Sequence, residues 1–264
     1  MPAVSARPAA VAGSFYPGDS PELLRCVDDM LLAGDGGGRR PKALIVPHAG
    51  YIYSGPTAAS AFATLGPFAS EIRRVVLFGP AHRVAINGLA APTVSAFVTP
   101  LGSVPVDQAA LMTVCRLPQV QWNDSAHAHE HSLEVQLPFL QRLFGEFAIA
   151  PFVVGDTNAT AVAEVMNALW GGDETLVVVS SDLSHYLPYA DAQRIDRASV
   201  EAIRRLEPLR HFDQACGALP INGLVETARQ RGLTAELLDL CNSGDTAGDK
   251  ARVVGYAALA FYES

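Results

Sequence analysis

Residues 42–55 read KALIVPHAGYIYSG, and the fold turns on how the first half of that stretch is taken. Ala43–Val46 is apolar at every position, too short for a helix and closed by Pro47, which predicts a strand buried on both faces. Residues 73–83, RRVVLFGPAHR, supply a second such strand through Val75–Phe78, stopped by Gly79-Pro80. Between them the small-residue run Pro56–Leu65 predicts a helix able to pack closely on a sheet. Strand, helix and strand in that order form a βαβ unit, so the two strands are expected to lie parallel.

The same grammar continues outward. A helix is expected over Pro21–Leu32, with Ser20 as its cap, Pro21 in its first turn and Leu23, Leu24, Val27 and Leu31 on one face. Ala85–Val106 alternates short apolar runs with Asn-Gly, Pro and Leu-Gly turns and reads as a β-hairpin excursion. Helices are expected at Asp107–Arg116 and His131–Phe144, the latter kinked or late because of Pro138. FAIAPFVVG (147–155) and TLVVVSS (175–181) are further buried strands, with a helix near Ala159–Leu169 between them. A polar-faced helix at Asp191–Leu206, a short helix ending at Gly232, a strand near Ala235–Leu240 and a closing strand Val253–Phe261 complete the pattern. No repeat or composition shift divides residues 1–264, so a single three-layer α/β domain is the expectation.

Composition sets the outer bounds. Hydrophobic residues make up 49% of the chain and charged ones 17%, a core-rich globular balance. A formal charge of −8 with no basic stripe argues against nucleic acid or an anionic membrane as partner. No apolar run is long enough to span a bilayer and the N-terminus lacks a signal-peptide layout, which makes the cytoplasm the expected location. Cys26, Cys115, Cys216 and Cys241 form no CxxC pair and read as reduced thiols, the first two as core residues of helices.

Three strands end in polar loops that bear imidazoles: His48 after ALIV, His82 after VVLFGPA, and Asp182 with His185 in SSDLSH. In an open α/β sheet ligands bind beyond the carboxyl ends of parallel strands, so these side chains are candidates for one shared metal site. The string HAHEHSLEVQ (127–136) lacks the HExxH order of a zinc helix. Glu130 and His131, at the expected helix entrance, have the better claim to a pocket wall, with Glu134 on the same helix face as Glu130; His127 and His129 read as surface residues. A thiol at Cys216, in a Gly-Pro loop, or at Cys241, in CNSGD, offers a further ligand, and spacing alone does not choose between them. Ser180, Ser181 and Ser184 lie near His185 without the Gly-x-Ser-x-Gly pattern of a nucleophile elbow.

GSFYPG (13–18), PHAGYIYSG (47–55), GPAH (79–82), EHSLEVQLPF (130–139), SSDLSH (180–185), CGALPI (216–221) and NSGD with GYAALAF (242–261) occur in this order. Over nearly its whole length the sequence resembles the Memo family, whose prokaryotic members are also called AmmeMemoRadiSam system protein B. The resemblance implies a fold similar to the class III extradiol, LigB-type dioxygenases: an α/β sandwich around a mixed, largely parallel sheet with a metal in a surface cleft. Carried over motif by motif, it implies His48, His82 and Cys216 as metal ligands, Asp182 as an orienting group and His185 as the general base; independently of it, Gly50 and Gly55 let their loop fold close to the cleft, with Tyr51 or Tyr53 available as a wall. It implies iron, as Fe(II), or copper, with zinc a further candidate; a small-molecule or peptide partner; and a functional link to a radical-SAM protein. The extradiol enzymes hold Fe(II) by two His and a carboxylate, whereas the third ligand here would be a thiolate, which favours softer metals.

Overall fold

The computed structural model describes residues 5–34 and 38–263. Its elements run β1 (Ala6–Arg7), α1 (Ser20–Ala33), β2 (Ala43–Val46), α2 (Tyr51–Ala63), β3 (Arg74–Pro80), β4 (Leu89–Ala91), β5 (Ala96–Thr99), β6 (Gly102–Pro105), α3 (Gln108–Val114), β7 (Val120–Trp122), α4 (Asp124–Ala128) and α5 (Leu137–Leu143). The second half continues β8 (Ala148–Val154), α6 (Ala159–Ala168), β9 (Thr175–Ser180), β10 (His185–Leu187), α7 (Tyr189–Arg204), α8 (Ala218–Arg231), β11 (Thr234–Asn242) and β12 (Val253–Tyr262).

β2, β9, β3 and β8 lie side by side, all parallel, and form the centre of a mixed sheet. Antiparallel strands flank them: β12, itself paired with β11 and β10, on the β2 side, and β4 with β7 beyond β8. The four central strands are buried nearly throughout, as their unbroken apolar sequences require once helices cover both faces. α2, with α1 and α5, packs against β2 and β12; α8, with α6, packs against β3 and β9. Pro151 is tolerated inside β8 because it falls, on the edge facing away from β3, between the Asp107 amide bond at Ile149 and the β4 pairing at Val153. β1, β5 and β6 form a separate small sheet, so only part of the expected Ala85–Val106 excursion is a hairpin and β4 joins the main sheet instead.

Three local expectations are corrected. Asp19, not Ser20, caps α1, its carboxylate accepting the Glu22 amide at 3.1 Å. α2 begins five residues before Pro56, at Tyr51. Proline there removes one i→i−4 bond, and the carbonyl left free belongs to Ile52, whose residue is 69% exposed to water. The expected helix from His131 starts only at Leu137, after a 3₁₀ turn over Glu134–Gln136, with Pro138 in its first turn. Glu130 is therefore a loop residue and shares no helix face with Glu134.

Candidate metal centre

The parallel register brings the imidazole-bearing loops together. Val46 at the end of β2 is paired with Ser180 at the end of β9, and β9 pairs on its other side with β3, so His48, Asp182 and His82 all leave the same edge of the sheet within two residues of their strands. His48 is buried (2% exposed); its backbone amide donates to Asp182 Oδ1 at 2.7 Å and its Nδ1 lies 2.8 Å from Ser180 Oγ. Burial, helped by the nearby His82 and His131, pushes its protonation well below the usual imidazole range, so it is neutral at pH 7.

His82 is held by one carboxylate at two points: Glu130 Oε2 accepts its amide at 2.6 Å, and Oε1 lies 2.9 Å from its Nδ1. Burial alone would raise Glu130, but these bonds and the Ser132 amide outweigh it and hold the carboxyl at about 2. An ionised carboxylate only accepts, so His82 carries a proton on Nδ1, and Nε2 is the ring nitrogen left for a ligand. Gly79 makes this approach possible, since a Cβ there would sit 2.6 Å from Ser132 Oγ.

His131 completes a cluster of three imidazoles. Its ring stacks on His82 (centroids 4.7 Å, 20°), stands edge-on to His48 (5.4 Å, 90°) and is backed by Phe15 at 4.8 Å. Burial lowers it to about 4. Its Nδ1 is buried without a hydrogen-bond partner. Ligand nitrogens of His48, His82 and His131 lie within 4.8 Å of one another, and His131 Nδ1 makes no hydrogen bond though it lies 3.5 Å from Glu130 Oε1, a donor set that suits a transition-metal ion.

Cys216 approaches from the loop before α8, its Sγ 3.3 Å from His48 Nε2. Burial and the neighbouring Asp182 push the thiol up to about 12, so without a metal it remains S–H, placed to donate to that nitrogen or to the Asp182 carbonyl at 3.7 Å. Gly217 lets the loop come this close: its amide donates to Ser181 Oγ at 2.9 Å, and a Cβ would meet Ser181 at 2.7 Å. Asp182 is buried, and burial raises its carboxyl to about 7 despite the bonds from the His48 and Ala49 amides. His185 donates from Nδ1 to the Leu183 carbonyl at 2.8 Å, which leaves Nε2 as an acceptor, and the field of His82 reaches it.

The remaining candidates lie elsewhere. Cys241, on β11, faces the Thr57 hydroxyl at 3.1 Å. Tyr51 points into the core, donates to the Val135 carbonyl at 2.8 Å and packs on Phe139. Cys26 and Cys115 pack partly buried against the core. His127 is not a surface residue: it is 2% exposed, with Nε2 donating to the Ala90 carbonyl at 2.9 Å. Glu134 is fully buried and receives Arg7, the Tyr16 hydroxyl and the Ala10 and Val11 amides. Arg7 also donates to the His127 carbonyl and to the Glu130 carbonyl, both at 2.6 Å, and so pins the loop that carries Glu130 and His131. Arg7, Tyr16, Ser180 and Gln136 are supports that carry no ligand signature of their own; the one hint is that EHSLEVQ, which holds Gln136, is unusually polar for a segment that is largely buried.

Comparison with known proteins agrees with this architecture. A family model described as Memo-like protein matches residues 7–260. MEMO1 family proteins of Aquifex aeolicus and Ignicoccus hospitalis are 37% and 38% identical to this chain, each alignment covering 97% of it and 98% of the relative. One of Aeropyrum pernix is 38% identical over 96% of the chain and 98% of its own length. Among solved structures, an uncharacterized protein of Escherichia coli K12 superposes with a TM-score of 0.52 over 83% of this chain and 99% of its own, at 12% identity, a likeness of fold alone. With a family model matched from Arg7 to Ala260 and relatives aligned almost end to end, the chain belongs to the Memo family.

Proposed function

We propose that the protein is a metal-dependent redox enzyme of the class III extradiol dioxygenase type, with Fe(II) as its metal and a small hydroxylated molecule as substrate. The observation that carries this reading is the convergence of three imidazoles and a half-buried thiol at the carboxyl edge of three parallel strands. His48 and His82 would hold the ion through Nε2, Cys216 as a thiolate would be the third ligand, and His131 adjoins them as a further donor. Bound iron would supply one-electron chemistry and a common coordination sphere for dioxygen and substrate.

The chain's own groups do the rest. Glu130 orients His82 through Nδ1. Asp182 fixes the Pro47–Gly50 turn by taking the His48 amide. His185, held at Nδ1 by a carbonyl and lowered by burial, presents a neutral Nε2 able to take a proton from a substrate hydroxyl. The test is oxygen uptake by the anaerobically iron-loaded protein against a panel of catechols and related phenols. Uptake that disappears in His185→Gln while metal is retained supports the reading; no uptake with any member counts against it.

A second reading is favoured by one observation, the thiol facing His48. A thiolate selects Cu(I) or zinc over iron, which suits a non-catalytic metal- or peptide-binding module. Tight zinc or copper binding with no oxygen uptake would favour it.

A further inference from the structure

Behind His48 lies a hydrogen-bond network whose members leave each other no choice of role. Gln136 is fully buried, and one end of its amide lies 2.9 Å from the Pro47 carbonyl and 2.9 Å from Ser180 Oγ. A carbonyl only accepts, so that end is the nitrogen, and Gln136 donates to both. The orientation leaves Gln136 Oε1 buried without a partner, a cost the site bears in order to keep the donor facing Ser180. Ser180 Oγ is also 2.6 Å from the Ser132 carbonyl, again an obligate acceptor, which takes the single hydroxyl proton. The third neighbour of Ser180 Oγ is His48 Nδ1 at 2.8 Å. With its proton committed to Ser132, the hydroxyl has only lone pairs to offer, and the ring must donate. The reverse arrangement would set the Ser132 carbonyl and the hydroxyl oxygen lone pair to lone pair at 2.6 Å.

We propose that Ser180 is a positioning residue: pinned by Gln136 and the Ser132 carbonyl, its hydroxyl fixes His48 as the Nδ1–H tautomer and turns the Nε2 lone pair toward Cys216 and the cluster. His82 reaches the same tautomer by a different device, the Glu130 carboxylate. The two arms therefore differ in kind, His82 backed by a full negative charge and His48 by a neutral hydroxyl. In the buried setting of His48 (2% exposed), a neutral acceptor sets the tautomer without drawing a second charge into the core. The tautomer is a property of the protein alone; its use in holding a metal rests on the function proposed above.

The experiment is two-bond ¹⁵N–¹H correlation of the histidine rings in the metal-free full-length protein at neutral pH, with zinc affinity measured in parallel by chelator competition. Wild type should show a protonated Nδ1 and a pyridine-type Nε2 for His48. Ser180→Ala should move His48 toward Nε2–H, since Cys216 Sγ then offers the better acceptor, and should lower zinc affinity by about 10–100-fold. Ser180→Thr, which keeps the hydroxyl, should restore the wild-type tautomer. Gln136→Met should also keep it, because Ser180 still gives its proton to Ser132, and this separates loss of the acceptor from loosening of the site. An Nε2–H ring in wild type, or an unchanged Nδ1–H ring in Ser180→Ala, overturns the proposal. Zinc binding lost in His48→Ala but intact in Ser180→Ala overturns the positioning role. Zinc affinity unchanged in both counts against the metal reading instead, while the tautomer shift still decides whether Ser180 fixes the ring. Should Ser180→Ala not fold, the wild-type tautomer decides alone.

Discussion

Arg7→Ala is expected to be among the most damaging single substitutions in the chain, although Arg7 lies far in sequence from every candidate ligand. Arg7 is 4% exposed and its guanidinium serves four acceptors: the carboxylate of Glu134, itself wholly buried, the carbonyls of His127 and Glu130, and more distantly the Pro8 carbonyl at 3.3 Å. Truncation would leave the Glu134 carboxyl in the core with the Tyr16 hydroxyl and two amides but no cation. Removing one partner of a buried pair costs about 3–5 kcal/mol, and two orphaned carbonyls add about 1–3 kcal/mol each where water cannot reach them. Set against a total stability of about 5–15 kcal/mol, the variant would be marginal at 25 °C. Urea unfolding followed by circular dichroism reads this directly, with the midpoint falling and the slope unchanged. Arg7→Lys, which keeps the charge and loses the fork, should recover roughly half of the loss. An Arg7→Ala unfolding free energy within about 1 kcal/mol of wild type would refute the claim that this pair holds the Glu130–His131 loop.

Three further outcomes follow from single contacts. His127 is buried and, mainly through burial, lowered to about 4, below its usual value of 6.5. The unfolded chain therefore takes up that proton first, and stability should fall by about 2–3 kcal/mol as pH drops from 6.5 to 4; His127→Gln should flatten that limb in urea titrations, and an unchanged slope would contradict the assignment. Gly255→Ala would place a Cβ 2.0 Å from Asp196 Oδ2, whose partner oxygen accepts the Ser184 amide, so thermal unfolding should come several degrees earlier and the Asp182–His185 loop should lose order; an unaltered melting temperature would show that the loop is not buttressed there. Zinc affinity should rise about tenfold per pH unit over roughly pH 6.5–8.5, because binding must expel the proton of a thiol that burial holds at about 12, and Cys216→Ser should abolish the slope; a slope that survives would remove Cys216 from the ligand set.

The strand-end imidazoles were readable in the sequence because adjacency of parallel strands does the assembling: once Ala43–Val46, Val75–Phe78 and Thr175–Ser180 are strands of one parallel sheet, His48, His82 and Asp182 must emerge together. His131 could be read only as a pocket wall. It reaches the cluster from a loop shaped by Arg7 and Glu134, 127 residues apart, and no local periodicity reports a contact of that range. The same pairing explains His127: HAHEHSLE looks like a solvated face, yet it is buried because Arg7 meets its carbonyls and Glu134 meets Arg7. The early start of α2 was hidden by Pro56, whose cost depends on whether the Ile52 carbonyl can find water, a matter of tertiary position. Family resemblance singled out Cys216 over Cys241 where spacing could not; the Cys216 Sγ lies 3.3 Å from His48 Nε2, whereas Cys241 faces Thr57.

The central claim is that His48, His82 and Cys216 gather one metal ion at the carboxyl edge of the sheet, with His131 beside them. Its most direct test is anomalous scattering across the iron, copper and zinc edges from crystals of the wild type, His48→Ala and Cys216→Ser proteins, all prepared anaerobically. The account predicts a single strong peak between His48 Nε2, His82 Nε2 and Cys216 Sγ in the wild type, absent in His48→Ala and weakened in Cys216→Ser. A peak of undiminished height in both variants, or one located away from these side chains, would contradict it.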